Sequence, residues 1–119
     1  MNNDITLSSQ GLNKVVKGRQ AADCTSLEQL PNIGPSLAAD LRLIGVESPR
    51  DLIGKDAFVL YQKLCAITGK RHDPCVLDTF MAVTDFMRGA APAPWWQYTA
   101  QRKALYGQIP EQTETSSCR

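Results

Sequence analysis

No stretch of 18 consecutive apolar residues occurs in this 119-residue chain, and its start, Met1-Asn2-Asn3-Asp4-Ile5-Thr6-Leu7, lacks a basic region followed by an apolar run. The first absence excludes a membrane-spanning helix and the second argues against a secretory leader, so a cytoplasmic protein with no membrane partner is expected. No Cys-x-x-Cys pair is present, and four cysteines, Cys24, Cys65, Cys75 and Cys118, are too sparse for a disulfide scaffold. They are expected as thiols. No segment alternates with the period of a strand, which points to an all-α chain. A surplus of charge is missing too: 13 Lys and Arg stand against 12 Asp and Glu, a formal charge of +1. The global field therefore attracts nucleic acid only weakly.

What the chain does have is 43% hydrophobic and 21% charged residues, the balance of an ordinary globular protein. Its length suits one domain with a real core. The charge is unevenly spread. Residues 61–105 carry Lys63, Lys70, Arg71, Arg88, Arg102 and Lys103 against Asp73, Asp78 and Asp85, or 6 − 3 = +3, whereas residues 31–60 carry 3 − 4 = −1. Any basic surface lies mostly in the second half.

Helix punctuation divides the chain into a flexible N-terminal arm over 1–22, a domain over 23–106 and a polar, disordered tail over 107–119. Within the domain, Thr25 or Ser26 can cap a short helix ending near Leu30. Pro35 suits a first helical position, Leu37, Leu41 and Ile44 recur on one face, and Gly45 supplies a left-handed stop. Ser48-Pro49 and Gly54 bracket a very short helix around Arg50–Ile53. Asp56 can cap a helix whose apolar stripe is Ala57, Leu60, Tyr61, Leu64, Cys65 and Ile67, ended by Gly69. Asp73-Pro74 opens a longer one to about Arg88, with Val76, Leu77, Phe80, Met81, Val83, Thr84 and Met87 mostly inward. Residues 89–94 hold two prolines and read as a linker. Pro94 can start a last helix through Trp95, Trp96 and Ala100 to about Tyr106.

The most informative signal is Leu30-Pro31-Asn32-Ile33-Gly34-Pro35. Two helices meeting across so short a corner leave several amides at the positive end of the second one, where a phosphate oxygen fits. Asn32 and Gly34 tolerate positive φ, and Ile33 can tuck between the helices. The expected DNA-phosphate site is Asn32, Ile33, Gly34, Pro35 and Ser36, supported by Lys55, Lys70 and Arg71, with Arg42 further along the same helix. Water would satisfy the same amides.

The run Leu30-Pro31-Asn32-Ile33-Gly34-Pro35-Ser36-Leu37-Ala38 resembles the helix-hairpin-helix motif of DNA repair and replication proteins, with Asn32 where glycine is usual. The wider stretch from Leu30 to about Lys103, including Leu64-Cys65-Ala66-Ile67-Thr68-Gly69, His72-Asp73-Pro74-Cys75-Val76-Leu77-Asp78 and Trp95-Trp96, resembles the bacterial pathogenicity-locus family of helix-hairpin-helix proteins. Members are often labelled mitomycin resistance proteins. The resemblance implies a compact bundle of about five helices, SAM-like in type, with a C-terminal helix, and backbone contact with DNA that reads no bases. It makes 23–106 a helix-hairpin-helix domain, which strengthens the fold reading and leaves function open; a protein without enzymatic activity or cofactor is expected.

Two further groups invite chemistry. Cys75 in a first helical turn beside His72 is a candidate reactive thiol, because the helix dipole lowers a thiol pKa there. The competing reading is a buried structural cysteine and a loop histidine. Cys65, His72 and Cys75 lack a common zinc spacing, so no metal site is expected. Trp95 and Trp96 are adjacent, so their rings diverge by about 100° on a helix. One is expected to pack, and the other to stack on a base, seal an interface or cover the bundle end. Non-specific DNA binding is the leading functional expectation. A protein-interaction or self-associating adaptor is the alternative, and a thiol enzyme the third.

Overall fold

A computed structural model of the chain describes residues 16–107. The described residues form four α-helices and four 3-10 turns, with no strand among them. The α-helices are α1 (Pro35–Leu43), α2 (Ala57–Thr68), α3 (Pro74–Met87) and α4 (Thr99–Tyr106). The 3-10 turns are Ala21–Asp23, Leu27–Gln29, Pro49–Leu52 and Trp95–Tyr98.

Local chemistry accounts for most of the boundaries. Asp56 accepts from the amides of Phe58 and Val59 at 2.8 and 3.3 Å, and Asp73 accepts from the Cys75 amide at 3.1 Å. Each carboxylate satisfies first-turn donors that have no partner within the helix. Pro35 and Pro74 both stand in a first turn. Gly69 ends α2 at φ 72°, a left-handed conformation that would strain a side chain.

Two expected helices are shorter and tighter than their sequence signals. The one before the corner is the single 3-10 turn Leu27–Gln29, in which the Gln29 side chain accepts from the amides of Thr25 and Ser26 at 2.7 and 2.9 Å. Pro31 lacks the N–H that would continue it. The helix expected around Arg50–Ile53 is likewise a 3-10 turn, Pro49–Leu52. The last helix opens as the turn Trp95–Tyr98 and becomes α-helical only at Thr99.

α3 is the axis of the domain. Leu77, Phe80, Val83 and Phe86 are fully buried, and so are Asp78, Thr79 and Thr84. A helix enclosed on all sides must settle its polar groups internally. Thr79 and Thr84 donate to the Cys75 and Phe80 carbonyls, and Asp78 meets Arg102 of α4 at 2.7 Å and Thr99 Oγ1 at 2.7 Å. Around α3 pack α2, α4 and the turns Pro49–Leu52 and Trp95–Tyr98. α2 buries Ala57, Leu60, Tyr61 and Leu64, while Ile67, expected in the same stripe, is exposed. Phe58 of α2 stacks on Tyr106 of α4 with centroids 4.5 Å apart. Leu27, Leu30, Ile33, Ala38 and Leu41 complete the core and fix the corner to it.

The arm expected over residues 1–22 is bonded to the corner from Lys17 onward, and its part up to residue 15 lies outside the described residues. The tail from residue 108 onward also lies outside them. No helix of the described chain is long and apolar enough to cross a membrane.

Candidate nucleic-acid interface

The corner between the Leu27–Gln29 turn and α1 takes its shape from three residues. Asn32 adopts φ 70°, the left-handed region that asparagine enters more readily than most residues. Its side-chain amide donates to the Ala93 carbonyl at 2.8 Å, so the 89–94 linker is held against the corner. Ile33 is fully buried, and its amide donates to the Leu30 carbonyl at 3.2 Å. Gly34 precedes the helix with φ −96°, a value open to any residue, and has empty space where a Cβ would lie.

These bonds divide the expected phosphate site. The Ile33 amide and the Asn32 side chain are already used inside the fold, and Pro35 has no N–H to offer. Gly34, Pro35 and Ser36 are exposed, and no side chain caps the start of α1. The outward donors are therefore the amides of Gly34, Ser36 and Leu37, with the Ser36 hydroxyl beside them. They stand at the positive end of a nine-residue helix.

Cationic groups surround the corner unevenly. Arg42 is committed to Glu28 by two bonds of 3.2 and 3.1 Å, which hold the Glu28 carboxyl below the ordinary range and offset the arginine's charge. Lys55 is exposed in the loop before α2, and Lys70 and Arg71 are exposed in the loop after it. Lys17, which no sequence signal marked, reaches in from the N-terminal side and donates to the carbonyls of Glu28, Leu30 and Ile33. Partial burial lowers its pKa from the ordinary lysine value.

His72 and Cys75 occupy the joint between α2 and α3. Thr68 gives its hydroxyl proton to the Leu64 carbonyl at 2.8 Å and lies 2.9 Å from His72 Nε2. The threonine oxygen must then accept, so the neutral imidazole carries its proton on Nε2. The His72 amide donates to Cys65 Sγ at 3.4 Å, and the Tyr61 hydroxyl donates to the His72 carbonyl. Burial pushes the Tyr61 phenol well up and the His72 ring down from their ordinary values. The Asp40 carboxylate on α1 opposes the histidine shift, which places this loop near the second half of α1. Cys75 is buried at the start of α3 and is disulfide-bonded, so it is not the free reactive thiol its place beside His72 suggested; among the described residues the free thiols are Cys24 and Cys65. Among the described residues no three His, Cys, Asp or Glu side chains gather as a metal site.

Trp95 and Trp96 meet edge to face with centroids 5.6 Å apart. Trp95 is half-buried, and Trp96 stands 62% exposed. Both follow closely on Ala93, the residue that Asn32 grips, so the exposed indole is tethered near the corner.

Set beside known proteins, the chain is 39% identical over 85 residues to the mitomycin resistance protein McrB of Streptomyces lavendulae, an alignment covering 71% of this chain and 81% of that protein. No solved structure matches it. The pathogenicity locus (Cdd1) pattern matches residues 20–104, from just before the Ala21–Asp23 turn through most of α4, and the chain belongs to that family.

Proposed function

We propose that this protein is a non-enzymatic, cytoplasmic DNA-binding module in which the Leu30–Pro35 corner works as a helix-hairpin-helix and holds the phosphate backbone without reading sequence. The observation that carries the reading is the exposed, uncapped start of α1, where Gly34 and Ser36 face solvent and the space beside Gly34 is open. Donors fixed at a positive helix end suit a phosphate oxygen, and backbone contact alone carries no base information. Lys17 sets one positive charge beside the corner, while Lys55, Lys70 and Arg71 give diffuse support.

An NMR titration with a short duplex and a short single strand tests it. Amide shifts are expected at Gly34, Ser36 and Leu37, with affinity falling gently as salt rises, by about 0.9 in the log–log slope for each phosphate contacted on duplex DNA. Absence of binding to either DNA at low salt rejects the reading. A second reading, a protein-interaction or self-associating adaptor, is favoured by the exposure of Trp96. Its mark would be shifts confined to Trp96 and its neighbours, together with a molecular mass above that of the monomer.

A further inference from the structure

Three backbone carbonyl oxygens, those of Glu28, Leu30 and Ile33, converge on one point, and the Lys17 ammonium occupies it at 2.8, 3.0 and 2.6 Å. We propose that this point is a seat for a monovalent cation of the potassium or ammonium kind, and that the chain fills it with its own lysine. The inference goes beyond the DNA reading and does not depend on it.

Two of these oxygens, those of Glu28 and Ile33, lack a local backbone donor for a reason visible in the sequence. Pro31 stands three residues after Glu28, where the next 3-10 donor would be, and has no N–H to give. Ile33 precedes Gly34, the residue whose carbonyl takes the first bond of α1 at 2.9 Å, so the Ile33 carbonyl lies outside the helix. The Leu30 carbonyl already accepts from the Ile33 amide and has a second lone pair free, so a single cation can serve all three oxygens.

The donor set selects the charge. All three ligands are neutral carbonyls, and the nearby Glu28 carboxylate is taken by Arg42. Magnesium wants oxygens at about 2.0–2.1 Å, and calcium sites are rich in carboxylates. Rings of carbonyl oxygens replace the hydration shell of potassium instead.

The lysine is held there by its backbone. The Gly18 amide donates to the Gln29 carbonyl at 2.9 Å, and a Cβ on Gly18 would come within 2.5 Å of Cys24 Sγ. The strand of chain carrying Lys17 is thus pressed against the corner. Its charge is fixed beside the start of α1 whatever ions the solvent holds.

Thermal melts of Lys17→Ala and Lys17→Met in potassium, ammonium and tetramethylammonium chloride at equal ionic strength test the proposal. The unsubstituted protein should melt alike in all three. Lys17→Ala vacates the seat and should melt lower by about 5 °C in tetramethylammonium, which is too large to enter. It should regain at least half of that in potassium or ammonium, with a saturable dependence on concentration. Lys17→Met keeps the stem but plugs the seat with a methyl group, and should melt lower in all three salts alike. The proposal is overturned if Lys17→Ala responds identically to the three cations, including remaining unfolded in all of them, or if Lys17→Met melts with the unsubstituted protein. No DNA enters the measurement, so failure here and failure of the DNA reading are separate results.

Discussion

Asn32 donates its side-chain amide to the Ala93 carbonyl at 2.8 Å, joining positions 61 residues apart while its own backbone holds φ 70°. One residue therefore serves both the turn and the docking of the linker that carries the two tryptophans. Asn32→Gly keeps the left-handed backbone and loses the bond, a cost of about 0.5–1.5 kcal/mol. Asn32→Ala loses the bond and adds about 1–2 kcal/mol of backbone strain. Urea unfolding should rank them in that order, and an alanine variant as stable as the glycine one would contradict the role given to φ.

Asp78 and Arg102 form an ion pair with their side chains only 1% and 8% exposed. Removing one partner strands the other in the core, so Asp78→Ala should cost about 3–5 kcal/mol. Replacing both with leucine or methionine of similar volume should cost far less. A double variant as unstable as Asp78→Ala alone would show that packing, and not the stranded charge, sets the cost.

The pH dependence follows from His72, whose folded pKa lies below the ordinary 6.5, first through burial and then through Lys70, with Asp40 opposing. The unfolded chain binds that proton more readily than the folded one, so this stability is complete above about pH 6.5 and is lost as pH falls from there toward the lower folded value. Glu28, lowered first by its bond from Arg42, acts in a separate window, losing its contribution as pH falls below its ordinary 4.5. Stability measured by urea unfolding should decline from about pH 7 to 5.5. In His72→Gln, whose amide can still donate to Thr68, that decline should vanish.

Ser36 separates folding from binding. Ser36→Glu puts a negative charge in the first turn of α1, where it should stabilise the helix by about 0.3–1 kcal/mol. The same charge repels a phosphate. Under the proposed function the variant melts slightly higher and binds DNA more weakly, and equal DNA affinity would move the contact away from α1.

Trp96 gives a comparable separation. With most of its ring in solvent, Trp96→Ala should leave stability within about 0.5 kcal/mol. If the indole stacks on an unpaired base, single-strand affinity should drop by about 1–3 kcal/mol with duplex affinity little changed. Unchanged affinity for both would assign the ring to another surface.

The helical class, the caps at Asp56 and Asp73, the first-turn prolines and the stop at Gly69 were legible along the chain, because each depends on bonds among residues a few positions apart. The left-handed Asn32 was legible too, as a departure from glycine at a corner. The lengths of the elements beside the corner were not. A serine cap and apolar spacing look the same whether three residues of 3-10 turn follow or a full helix.

What the residues alone settled was where backbone groups lacked local partners: at the corner and at helix starts. Which distant group answers each need was decided by tertiary packing. Arg102 reaches Asp78 across 24 positions, Ala93 receives Asn32 across 61, and Lys17 enters a cluster of carbonyls that leaves no trace in residue identity. Every residue but proline carries the same main-chain donor and acceptor, so only the folded path reveals where several carbonyls meet.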